Sequence, residues 1–174
     1  MRSMVPRIFV RILAGSIMLA GFGAGGAWAQ EIQNLGTFKF WTAWKGKDAN
    51  GVMCYVSSQP QDAQPANVNR DPIHFLVINR KGLGTKNEVQ TLVGYPLKTG
   101  STPRVSIDGK AYDMVIEGSA AWLASASDEN GFVASMRSGK QMIVKARSQR
   151  GTNTTDTYSL IGVTAALEKI EKDC

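Results

Sequence analysis

The chain has 174 residues, with 20 Lys and Arg against 14 Asp and Glu, a formal charge of +6, one His and two Cys. That length fits one domain with a real core and excludes a multidomain machine. A single histidine and two widely separated cysteines exclude a multi-histidine zinc centre and a C-x-x-C thiol redox site.

Residues 1–29 are predicted to be an export leader. Arg2, Arg7 and Arg11 begin it without an acidic residue. An uncharged apolar run follows from Ile12 to Gly26, and Ala27-Trp28-Ala29 supplies the small-x-small pattern of a signal-peptidase site. The run is short for a membrane span of about 20 residues, and no basic stop-transfer cluster follows it. Gly21, Gly23, Gly25 and Gly26 weaken its far end as a helix. Cleavage is expected after Ala29, leaving 30–174 as a single β-rich domain with no transmembrane segment. No cysteine stands at the cut to carry a lipid, so the expected product is soluble in the periplasm, associated with the outer membrane, or secreted. Without the three leader arginines, 17 basic residues face 14 acidic ones, and the charge drops from +6 to +3. A nucleic-acid partner is not implied by so small an excess.

Strand-like segments then recur. Alternation over 37–44 predicts a strand with Phe38, Phe40 and Trp44 near one side, although Trp41 breaks the pattern. A turn over 45–51 leads to a return strand over 52–56. Residues 57–70, rich in Gln, Ala, Asn and Pro, are expected to form an extended, exposed and mobile loop. Strands follow over 73–79 and 87–95, joined by a glycine-rich turn. Asp108-Gly109 marks a tight type I′ hairpin between 105–107 and 110–116. Short strands over 121–124, 141–148 and 154–161 complete a mainly β fold, a small antiparallel barrel or sandwich.

Two helices interrupt the strands. Ser127 is positioned to cap a short internal helix through Ser138, with Asp128 and Glu129 in its first turn, Gly139 past its end, and Phe132, Val133 and Met136 as the buried stripe. In a C-terminal helix from Val163, the spacing of Val163, Leu167, Ile170 and Cys174 puts all four on one face, packed on the sheet. In an oxidising compartment Cys54 and Cys174 are expected to pair, closing a loop over nearly the whole domain, worth about 4–5 kcal/mol by chain entropy. The alternatives are two free thiols or an intermolecular bridge.

No constellation points to catalysis, and no metal or cofactor is expected. His74 lacks a G-x-S-x-G elbow for a nucleophile. Gly82-Leu83-Gly84-Thr85-Lys86 lacks phosphate-loop spacing and lies between strands. The polar cluster 154–160 puts Asp156 on the side of Tyr158 and Leu160, where a buried carboxylate needs threonine, backbone or arginine donors. Arg137, Lys140, Lys145, Arg147 and Arg150 form a basic run with no acid among them, and alternation puts Lys145 and Arg147 on one face. Such a stripe suits an anionic glycan, lipopolysaccharide phosphates, or an acidic patch on an envelope or host protein. The plainer reading is a solvated strand face that discourages edge pairing.

Five segments carry a resemblance: Phe40-Trp41-Thr42-Ala43-Trp44, Met53-Cys54-Tyr55-Val56, Ile73-His74-Phe75, Val93-Gly94-Tyr95-Pro96-Leu97, and the closing stretch from Thr155-Asp156-Thr157-Tyr158-Ser159-Leu160 through Ala165-Ala166-Leu167 to Cys174. In this order they resemble the invasion-associated locus B family over nearly the whole of 30–174. The resemblance implies an exported, β-rich protein of a Gram-negative bacterium, without established catalytic residues. It links the chain to host-cell invasion through the pathogenic member that gave the family its name. Some members carry more cysteines, so any second disulfide is absent here. The expectation is an exported, non-enzymatic binding protein of the envelope or surface, with the basic strand and the 57–70 loop as its contact surface. The alternative is a structural or stress-protective periplasmic protein without a specific ligand.

Overall fold

A computed structural model describes residues 32–174. The expected leader and its cleavage after Ala29 lie outside them. No helix among the described residues is long and apolar enough to cross a membrane.

The chain opens with β1 (Gln33–Phe38), β2 (Trp41–Asp48) and β3 (Gly51–Ser58), an antiparallel meander. The strand predicted over 37–44 is therefore two strands. Lys39 has φ 57°, and the chain reverses at Lys39-Phe40. That reversal is why Trp41 broke the alternation: it restarts the inward phase, with Trp41 and Ala43 fully buried and Phe40 exposed. Residues 57–70 also differ from expectation. β3 runs on to Ser58, and β4 (Asp62–Gln64) adds a three-residue strand to the sheet by pairing with residues 155–157.

β5 (His74–Arg80) and β6 (Thr85–Leu92) form the next hairpin, joined by a single 3-10 turn over Lys81–Leu83. β7 (Arg104–Ile107) and β8 (Lys110–Glu117) meet at Asp108-Gly109, with φ 46° and 95°, the doubly positive geometry of the predicted turn. β9 (Ala120–Leu123) follows, then α1 (Ala126–Ser138), β10 (Gln141–Arg147), β11 (Asn153–Ser159) and α2 (Val163–Asp173). Ser125, not Ser127, is the residue before α1, and Gly139 leaves its end at φ −82°, not left-handed.

The described strands form one antiparallel sheet of eleven in the order β1-β2-β3-β5-β6-β9-β8-β7-β10-β11-β4. The mainly β expectation holds, but the sheet is not closed; β1 and β4 are its edges. It curls so that β2 meets the end of β11 across the core. The Trp41 indole donates to the Ser159 carbonyl at 2.9 Å, and the Phe40 N–H donates to that of Ile161 at 3.4 Å. Phe75 is the hub of the core, 6.4 Å edge-on to Trp41, 5.8 Å from Tyr158 and 5.9 Å from Phe132 of α1.

α2 lies along β1, β2 and β3 and buries Val163, Ala166, Leu167 and Ile170. Its larger apolar side chains contribute about 1.5–3 kcal/mol each. Two features fix its ends. Gly162, at φ 96°, starts it so close to β1 that a β-carbon would stand 1.9 Å from the Phe38 carbonyl oxygen. At the other end Cys174 is bonded to buried Cys54 of β3, their Cα atoms 6.0 Å apart, and Lys45 donates to the Asp173 carbonyl at 2.8 Å.

Candidate functional site

β10 separates its side chains as the alternation predicted. Met142, Val144 and Ala146 are buried; Lys145 and Arg147 are exposed. Lys145 lies between Arg104 of β7 and Thr155 of β11 in the ladder. Neighbouring strands are about 4.8 Å apart, well inside a Debye length of about 8 Å, so Arg104 and Lys145 act on an approaching ion together. Arg104 pairs with Asp113 of β8 at 2.7 Å, both side chains more than half exposed. Exposed pairs of this kind contribute little to stability.

The five-residue basic run divides. Arg137 is turned to structure: it donates to Glu171 at 2.6 Å, lies 4.0 Å from Glu168, and so ties α1 to α2. Lys140 is exposed just before β10, its backbone N–H donating to Asp108 at 3.0 Å. Lys145, Arg147 and Arg150 form no ion pair among the described residues, although the Arg147 Nε donates to the Gly151 carbonyl at 3.2 Å. Arg150 stands apart from the strand, in the turn between β10 and β11.

Arg150 lines a groove of about 650 Å³ bounded by residues 68–71, the 94–96 turn and the 148–154 turn. Its floor is a charge network hidden from water. Arg70 donates to both Asp156 oxygens, at 2.7 and 2.6 Å, and to the Val93 carbonyl at 3.0 and 2.9 Å. Its guanidinium lies 5.0 Å over the Tyr95 ring, and the Tyr95 hydroxyl meets that of Thr154. Burial opposes the Arg70 charge, but hydrogen bonding to and attraction by Asp156 outweigh it and raise its pKa. Burial pushes the Tyr95 phenol up as well. The carboxylate of Asp156 thus has the donor that sequence reasoning required; Arg70, from the segment expected to be a mobile loop, supplies it.

The groove walls are tied to one another. The Asp71 N–H donates to the Gly94 carbonyl at 2.9 Å, and the Gln149 N–H to the Pro96 carbonyl at 2.9 Å. Gly94, at φ 76°, permits the first contact, since a β-carbon there would stand 2.2 Å from the Asp71 carbonyl oxygen.

His74 lies half-buried on the side of β5 opposite Phe75, and burial lowers its pKa; its side chain makes no hydrogen bond among the described residues. No group of three or more His, Cys, Asp or Glu placed to hold a metal occurs among the described residues. Arg104 and Tyr95 escaped the sequence reading as site residues, and Arg70 entered it only as the end of the 57–70 loop. The need of Asp156 for a donor was the signal for the role Arg70 plays.

The profile of the invasion associated locus B (IalB) protein family matches residues 41–171. The chain belongs to the IalB family. A crystal structure of invasion associated protein B from Bartonella henselae is similar to it, with a TM-score of 0.56 at 14% identity, covering 83% of this chain and 96% of that one. That likeness is one of fold. A comparison with curated protein sequences yields no match. Within the IalB segments quoted above, Trp41, Cys54 and Phe75 lie in the core, Tyr95 lines the groove, Asp156 holds Arg70 beneath it, and Cys174 holds α2.

Proposed function

We propose that this IalB-family chain is an exported, non-enzymatic protein of the periplasm or cell surface that binds an anionic envelope or host-surface component. The binding surface is the outer face of β10 with the turn that follows it. The observation that carries this reading is the set Lys145, Arg147 and Arg150, exposed and free of ion pairs among the described residues, with Arg104 beside Lys145. The Cys54–Cys174 bond supports an oxidising compartment. The family name, and the crystallised relative described as invasion associated, support a host-cell surface as one source of the anion. Lipopolysaccharide is the envelope counterpart. The test is binding of the oxidised protein to lipopolysaccharide and to heparan sulfate, with a Lys145→Glu/Arg147→Glu variant beside the wild type. Loss of binding in the variant supports the reading; unchanged binding, or none by the wild type, contradicts it.

A second reading, a structural or stress-protective periplasmic protein without a specific ligand, draws support from the disulfide that holds the C-terminal helix. Its mark is weakened envelope integrity on deletion together with no ligand for the purified protein.

A further inference from the structure

We propose that the groove beside Arg150 is a binding site for a carboxylated sugar, with Arg150 holding the carboxylate. The proposal rests on the anionic-ligand reading above and adds to the β10 face a second contact, with a chemical class for what it holds.

The volume of the groove, about 650 Å³, lies in the range of small-molecule sites and suits a ligand of two or three sugar rings. Its lining is divided as such a ligand requires. The Tyr95 ring and Pro96 offer apolar surface for the C–H face of a pyranose. Asn69 and Gln149 carry amides, which both donate to and accept from hydroxyl groups, and Asp71 accepts from them. Arg150 is the lining cation without an ion pair among the described residues, and its forked donors match a carboxylate in two parallel bonds.

Charge narrows the class further. Arg70 is neutralised by Asp156. Asp71 and Arg150 then balance in the count of lining charges, so the lining carries no net positive charge. A doubly charged phosphate would meet one cation and one repelling carboxylate. A singly charged carboxylate on a polyhydroxylated ring meets a donor fork for its acid and acceptors for its hydroxyls. The floor is also tied together by the bonds of Arg70 to Asp156 and Val93 and of Tyr95 to Thr154. A buried ion pair such as Arg70–Asp156 adds little net stability compared with apolar packing, but it holds the Tyr95 ring and the 68–71 segment in place. A site ordered in advance loses less freedom on binding.

The test uses the oxidised protein, an amide-resolved NMR titration and calorimetry. The acidic probes are a hyaluronan tetrasaccharide, which carries glucuronate as on animal cell surfaces, and a disaccharide of the keto-acid sugar of lipopolysaccharide. Chitotetraose is the neutral control. Expected are shifts confined to residues around Tyr95, Gln149 and Arg150, affinity about tenfold weaker in Arg150→Ala, and little change in Lys145→Glu/Arg147→Glu. The acid bound more tightly names the source. Equal binding of chitotetraose overturns the carboxylate assignment. Acid binding that survives Arg150→Ala and vanishes in Lys145→Glu/Arg147→Glu overturns the groove but keeps the anionic reading. So does binding of lipopolysaccharide or heparan sulfate without any short acid. Binding of none of these overturns both.

Discussion

Arg70 and Asp156, 86 residues apart in the chain, meet in a two-pronged ion pair with side chains only 6% and 1% exposed. The pair joins the segment before β5 to the middle of β11 and forms the floor of the groove. Removing one partner leaves a charge buried without compensation, which costs about 3–5 kcal/mol. Asp156→Ala and Arg70→Ala should each lower stability by that order. Arg70→Met/Asp156→Leu should lose much less than the sum, because both charges leave together. Urea denaturation of the three variants measures the coupling; additive losses would show that the two groups act separately.

The disulfide predicts a second loss. A bond spanning 120 residues removes a large closure entropy from the unfolded chain, worth about 4–5 kcal/mol. Cys174→Ser should lower the urea midpoint by a corresponding amount and should loosen α2 first, since Cys174 anchors its last turn. Hydrogen exchange at the α2 amides of Lys169 to Asp173, compared with those of β10, locates the effect.

His74 gives a pH dependence of defined sign. Burial lowers its pKa below the usual 6.5. Well above pH 6.5 both folded and unfolded chains hold it neutral, and it adds no slope. As the pH falls through 6.5 the unfolded chain takes up the proton first, so stability falls; the loss stops growing below the folded-state pKa. The urea midpoint should therefore decline between pH 7.5 and 5.5, and His74→Gln should flatten that decline.

Asp113 partly offsets the basic face through Arg104. Asp113→Asn removes an exposed charge, so stability should change by no more than about 0.5 kcal/mol. Affinity for lipopolysaccharide should rise, most visibly at low salt, where screening is weakest. Weaker binding by Asp113→Asn would speak against the β10 face as the contact surface.

The parts of the fold legible in advance were those encoded locally. The four-three-four spacing of Val163, Leu167, Ile170 and Cys174 located α2 and its staple, and Asp108-Gly109 located the β7–β8 turn. Elsewhere the deciding contact was remote. Lys39 has no strong turn preference, so its reversal showed in the sequence only as the misplaced Trp41. β4 has three residues between two prolines, and its strand character exists through pairing with β11. The exposure of Lys145 and Arg147 followed from alternation alone. The loss of Arg137 to Glu171 did not, since it depends on α1 and α2 lying side by side. The groove is assembled from three segments distant in sequence, and of its lining the basic run had singled out Arg150.

The proposed anion-binding face belongs to a domain proposed to be exported and closed on itself by the Cys54–Cys174 bond. Intact-mass spectrometry of the protein isolated unreduced from its own cells tests this most directly. The account predicts a chain beginning at Gln30, two hydrogens lighter than its dithiol form, with peptides around Cys54 and Cys174 joined. A chain that retains residues 1–29, or one in which both sulfurs are free thiols, would contradict it.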